Sequence, residues 1–277
     1  MRIKVLGTAA AEGVPAMFCN CENCVKAREL KGKNLRARTQ ALIDNDLLID
    51  FSDDTYLNGQ RFGIDLSAIK YFLITHAHSD HLSPWEFDNL NAGVNRTEEK
   101  VFILGGKYIL DEIVRVCPGS INGLMEKGTV EFIELKPFVK TKIGEYAITP
   151  LKANHAGGNA MVYIIEKGGK SMLYCLDTGK LPEDDFEFMK GIEKPFDFVL
   201  IDCTYGRVPA DKYGGHLSLY DGVNQINLMK QAGAVNDKTD VMVTHFAHWH
   251  IPSHEAMEEM ASEFGYEVSY DGIEKEI

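Results

Sequence analysis

Within six residues, His76-Ala77-His78-Ser79-Asp80-His81, the chain places four metal-capable side chains directly after the apolar run Tyr71-Phe72-Leu73-Ile74. No other stretch constrains the fold as tightly. A short apolar run bounded by turn-prone residues reads as a buried strand, so the ligand-rich segment falls on the loop leaving its carboxyl end, where open α/β sheets place their sites. In extended chain His76, His78 and Asp80 point the same way, because side chains alternate. His81 breaks that alternation, and a tight turn there would aim it at a second ion. The bland alternative is a polar surface loop. Imidazole with carboxylate is, however, the donor set that zinc-like ions favour.

Further candidates follow where apolar strands end. Tyr146–Ala153 leads to His155 and the glycines of Ala156-Gly157-Gly158, which let backbone approach a site. Met172–Leu176 ends in Asp177, a carboxylate able to bridge two cations. Phe198–Ile201 ends in Asp202, read as a supporting or structural residue. Val241–Thr244 leads to His245, and His248 three residues on can turn to another ion. Near the start, Cys19-Asn20-Cys21-Glu22-Asn23-Cys24 places three thiols close enough to share one tetrahedral ion whose fourth ligand lies elsewhere. Asp50, Asp53 and Asp54 lie at and after the end of the strand Leu47–Asp50, close to where the metal loop should arrive; they either hydrogen-bond metal-bound histidines or are capping and surface charges.

Between these points β and α alternate. Strands are expected at Arg2–Gly7, Gln40–Ile43, Val101–Leu104, Val130–Leu135 and Met161–Glu166. Helices are expected up to Gly59 (capped by Ser52 or Asp53), from Ser83-Pro84, over Lys107–Val116 and over Leu219–Ala232. Around residues 122–140 the pattern turns irregular and then strand-rich, and two similar halves of a single domain, 1–277, should meet near residue 140.

His-x-His-x-Asp-His with the later His155, Asp177 and His245 resembles the metallo-β-lactamase superfamily over essentially the whole chain. With the cysteine cluster, it is similar to the branch containing the cyclic-ribose phosphodiesterase of the carbon–phosphorus lyase pathway. The resemblance implies a four-layer αβ/βα sandwich of two mixed β-sheets flanked by helices, with the site at one edge. It also implies one metal on His76, His78 and His155, a second on Asp80, His81 and His245, Asp177 between them, and a structural zinc on Cys19, Cys21, Cys24 and His248.

Two cations about 3.5–4 Å apart lower the pKa of a shared water and stabilise both oxygens of an in-line displacement. Asp80 would orient that water or take its proton. A phosphodiester also needs its leaving alkoxide protonated. His216, in Tyr213-Gly214-Gly215-His216-Leu217-Ser218, is the candidate general acid, with helix capping beside Ser218 as the alternative. His250 and His254 are read as surface or capping residues. Zn, Mn, Fe and Ni all suit the active-site donors, and thiolates favour zinc at the other site.

A net charge of −12 and a pI near 5.2 weigh against long nucleic acid and membrane surfaces, which reward basic faces. A small anionic substrate is compatible, because metal ions supply the positive charge. The opening Met1–Gly7 runs straight into a strand without an apolar leader core, and the cysteines read as ligands and buried thiols; both predict a cytoplasmic chain. A homodimer is the base-rate expectation. The leading function is a binuclear phosphodiesterase acting on a small cyclic or nucleotide-like phosphodiester. Its rivals are an ester, lactone or thioester hydrolase, a tRNA 3′-end endonuclease, and a non-enzymatic cofactor-biosynthesis accessory protein.

Overall fold

The structure, a computed structural model, describes residues 1–90, 99–209 and 214–277. Tyr213, at the start of the glycine-rich loop, lies outside them.

The first half builds one sheet from β1 (Arg2–Gly7), β2 (Gln40–Ile43), β3 (Leu47–Ile49), β4 (Tyr71–Leu73), β5 (Val101–Gly105) and β6 (Val130–Glu134). The last strand, β14 (Glu274–Glu276), returns to pair with β1 at its edge. β7 (Thr141–Ile143), β8 (Tyr146–Lys152), β9 (Met161–Lys167), β10 (Lys170–Cys175), β11 (Phe198–Asp202), β12 (Asp240–Thr244) and β13 (Glu267–Val268) form a second sheet in the order 13-12-11-10-9-8-7. Both are mixed: β1 to β3 and β7 to β10 pair antiparallel with their neighbours in sequence, while β3 to β6 and β10 to β13 pair parallel.

Strand alternation explains how they stack. Ala41, Ile43, Leu47 and Ile49 of the first sheet share a core with Tyr163, Tyr174, Phe198 and Met242 of the second, so the two sheets pack face to face. The intervening Leu42 and Leu48 point the other way. They meet Ile109 and Ile113 of α3 (Lys107–Val116) and Ile121 and Leu124 of α4 (Pro118–Glu126). Val162, Ile164, Leu173 and Val199 face outward against Met189 of α5 (Glu183–Met189), Ile226 and Met229 of α6 (Leu219–Gln231) and Met257 of α7 (His254–Ser262). Strands covered on both faces have to be apolar on both, which is why they read as continuous apolar runs. The result is the four-layer αβ/βα sandwich.

Four local expectations change. Glu22–Leu30 is a helix, α1, that starts inside the cysteine cluster. The segment after Ser83 is a 3₁₀ helix, Pro84–Leu90, rather than an α-helix. The helix before Gly59 is α2 (Thr55–Phe62), which runs past Gly59; neither Ser52 nor Asp53 caps it, and the Ser52 hydroxyl is buried without a partner. The irregular stretch contains the end of α4. Six basic residues crowd Lys26–Arg38, yet Lys26 pairs with Glu22, Lys33 with Glu258 and Arg38 with Asp54, while Arg36 is buried. Among the described residues no helix is long and apolar enough to cross a membrane.

Candidate active site and cysteine site

The site is built on the carboxyl ends of β4, β8, β10, β11 and β12. After β4, Thr75 is strapped by Asp50, whose Oδ1 accepts from both the Thr75 N–H and its hydroxyl at 2.8 Å. A turn follows in which His81 N and Leu82 N both donate to His78 O at 2.9 Å. This turn defeats the simple alternation. His76 and His78 converge with His155, but Asp80 is carried round to join His81 and His245. Asp177 lies between the two groups: Oδ2 is 3.0 Å from His81 Nε2 and 2.9 Å from His245 Nε2, and Oδ1 is 3.7 Å from His155 Nε2. Asp80 Oδ2 stands 3.1 Å from His81 Nε2.

Three of the imidazoles are oriented from behind. His81 Nδ1 faces Asp50 Oδ2 at 2.7 Å, His155 Nδ1 faces the Gly215 carbonyl at 3.0 Å, and His245 Nδ1 faces the Thr204 hydroxyl at 2.7 Å. The rear nitrogens are thereby engaged, and the front ones turn to the common centre. Asp50, Asp177 and His245 all have positive φ, 65°, 49° and 65°. Non-glycine residues adopt this region at a cost, and three of them around one centre mark strain held for function.

Charge follows the same plan. Burial, then the neighbouring His81, push the His76 pKa well below its usual value, and burial lowers His155, so both favour the neutral form that binds metal. Burial alone would raise the Asp177 carboxyl, but His245 and His81 hold it well below the usual range. Burial opposes a charged His81, yet Asp177, Asp50 and Asp80 together hold its pKa well above normal.

Do these residues fit a cation? His76 Nε2, His81 Nε2, His245 Nε2 and Asp177 Oδ2 are fully buried and make no hydrogen bond. Buried polar atoms are rarely left so, and such atoms in the overlapping groups of His76, His81 and Asp177 and of Asp80, His81 and His245 fit divalent metal.

A separate cluster joins α1 to the segment after β12. Cys19, Cys21 and Cys24 Sγ lie 3.6, 3.5 and 3.3 Å from His248 Nδ1. With bonds of about 2.3 Å to sulfur and 2.05 Å to nitrogen, a tetrahedral zinc puts the two about 3.5 Å apart, so the four atoms fit it. Burial works against a thiolate at Cys21, but the Cys24 N–H and the neighbouring His248 and Cys19 bring it down to about 6. Asn23 Nδ2 clamps the His248 carbonyl at 3.0 Å.

Residues 46–261 match a family model described as a beta-lactamase superfamily domain. The chain belongs to the metallo-β-lactamase superfamily. It resembles in fold a new diphosphatase from the PhnP family (20% identity, all of this chain and 97% of that one, TM-score 0.75). Zinc-bound PqqB from Methylobacterium extorquens is also similar in fold (17%, all of both chains, TM-score 0.73). Among curated proteins it is similar to an octanoyltransferase of Porphyromonas gingivalis, at 24% identity over 99% of this chain but 51% of that protein. The chain thus spans about half the length of the curated relative it matches.

Within this superfamily site, sequence reasoning missed Thr75, Thr204 and the Gly215 carbonyl. Thr204 lies two residues after Asp202 at a strand end, and Thr178 directly after Asp177 at another; a threonine close behind each strand-end aspartate was the available signal. Of the three early aspartates only Asp50 enters the site: Asp54 pairs with Arg38 at 3.0 Å and Asp53 is exposed. His216 does not cap a helix. Ser218 caps α6 in a reciprocal box with Asp221, while His216 Nδ1 faces Asp202. His254 is neither surface nor cap: it is 1% exposed, lies 3.0 Å from Arg36 and 2.9 Å from Glu258, and Ser253 is the cap. His250 is partly buried beside Tyr205.

Proposed function

We propose that this protein is a phosphodiesterase for small cyclic or nucleotide-like phosphodiesters, with two divalent cations held by the seven residues of the central cage and His216 as general acid. Cations in such a cage stabilise phosphoryl oxygens and acidify a water. His76, His78 and His155 would hold one cation, and Asp80, His81 and His245 the other, with one Asp177 oxygen toward each. Asp80, buried in its group, would orient the attacking water or accept its proton.

The observation that carries this reading is His216. Its ring lies 4.7 Å from that of His155 and 5.4 Å from that of His245, so it stands at the rim of the cage. Burial would lower its pKa, but the Asp202 carboxylate behind it raises it to about 9. Positive charge loaded into the cage brings that value back toward neutrality, where a general acid works best. A poised acid is what an alkoxide leaving group demands. A thiolate, as from a thioester, leaves without one.

The test is hydrolysis of bis(p-nitrophenyl) phosphate by protein loaded with Zn, Mn, Fe or Ni, alongside His78→Ala. Metal-dependent turnover lost in the variant supports the reading; no turnover with any of the four contradicts it.

A second reading rests on the octanoyltransferase likeness: a hydrolase of medium-chain acyl esters or thioesters. Octanoyl thioester cleavage faster than phosphodiester cleavage, and indifferent to His216→Ala, would favour it.

A further inference from the structure

A groove of about 610 Å³ begins at His216 and runs along α6. Its lining is polar in a particular way. Asn224, Asn227 and Gln231 are spaced three and seven residues apart, which puts them on one face of the helix, and all three line the groove with Asn154 and Lys180. Exposed helix faces commonly carry Lys and Glu. Here the face turned to the groove offers carboxamides, each able to donate and accept. None of these three carboxamides, nor that of Asn154 or the Lys180 ammonium, has a hydrogen bond or ion pair among the described residues. The groove's one carboxylate, Asp221, is committed to Ser218.

The groove is fixed to the catalytic cage. Gly215, at its start, carries the carbonyl that faces His155. On the floor, Gly179 N donates to Asn154 O at 3.3 Å and Leu181 N to the buried Gln225 side chain at 3.0 Å, so the backbone is pinned on both sides of Lys180. A Cβ on Gly179 would stand 3.0 Å from Gly215 N, which shows how closely the two loops meet there. Whatever occupies the groove is therefore held in register with the cage.

We propose that this groove is a nucleoside subsite, in which Asn224, Asn227 and Gln231 hydrogen-bond the edges of the base and sugar of a nucleoside phosphodiester while Lys180 faces its charge. The proposal rests on the phosphodiesterase reading and names its substrate class. Paired donors and acceptors on Asn and Gln match the edges of heterocycles. The apolar side chains of the lining are Leu217 and Leu228, too few to bury an acyl chain.

Two esters with the same leaving group isolate the subsite: thymidine 5′-(p-nitrophenyl phosphate) and bis(p-nitrophenyl) phosphate. On metal-loaded protein the nucleoside ester should have the higher kcat/KM, mainly through KM. The ratio of the two should fall by at least about tenfold in Asn224→Ala/Gln231→Ala. Calorimetric titration with thymidine 5′-monophosphate gives a second readout independent of turnover, with binding weakened by a similar factor in the double variant. A ratio and a nucleotide affinity that are both unmoved overturn the subsite. Nucleotide binding that depends on these residues, in protein that cleaves neither ester, overturns the phosphodiesterase reading and leaves the subsite standing.

Discussion

His216 Nδ1 lies 3.0 Å from Oδ2 of Asp202, a carboxylate with no exposure to solvent. Asp202 also accepts from Asp177 N at 3.1 Å and from Thr204 N and Leu217 N at 3.0 Å. One buried anion thus orients the acid, the loop of the bridging carboxylate and the threonine behind His245. Its removal should be felt as a change in pH dependence as well as in rate.

Asp202→Asn should lower the His216 pKa, because the charge that raises it is gone. A general acid works while protonated, so activity falls on the alkaline side as pH passes its pKa. In the variant that alkaline limb should move to lower pH by about one unit or more, and kcat at neutral pH should fall by about 10². A pH–rate profile checks this, and an unmoved limb rules out the coupling.

Asp50→Ala leaves His81 without its rear partner. Outer partners of this kind are worth about 10–100-fold in metal affinity. Titration with a chelator should show the weaker hold, and wild-type affinity would mean that Asp50 merely fills space.

Cys21→Ser should lower the melting temperature by several degrees and the zinc content by one equivalent, with turnover much less affected. Thermal melts, metal analysis and assays on one preparation decide it. An unchanged melting temperature and zinc content would contradict the structural role.

Asp185 offers a pH effect away from the metals. Its Oδ1 accepts from Lys152 N at 3.1 Å, Oδ2 has no partner, and burial raises its pKa to about 7. The folded state therefore holds a proton that the unfolded chain gives up near pH 4, so stability falls as pH rises from about 4 to 7 and stays lower above. Asp185→Asn should remove that slope, melting well above wild type at pH 8, by a smaller margin at pH 5, and about equally only near pH 4. Parallel melting curves at the two pH values would contradict it.

What was legible in the sequence was local or periodic. His76 to His81 carry their chemistry in one turn, and strands buried on both faces, such as Phe198–Asp202, announce themselves as apolar runs. Residues that meet only through the fold were visible as types and not as partners: Asp50 reaches His81 across 31 positions, and Arg36 reaches His254 across 218. Helix α1 was hidden because only Cys24 and Ala27 face the core, which leaves no apolar stripe to read. Gly119 and Gly123 lower the helix propensity of α4 in the same way. Asp80 was misdirected by assuming extended chain where a turn intervenes.

In the proposed reaction His216 protonates the leaving group. The need for that proton grows with leaving-group basicity, so the decisive measurement compares His216→Ala with wild type on an ester that releases p-nitrophenolate and on one that releases an alkoxide. Acid catalysis by His216 predicts a loss of about 10²–10⁴ in kcat for the alkoxide ester and a far smaller one for p-nitrophenolate. Equal losses on both esters would contradict this and mean that His216 only shapes the site.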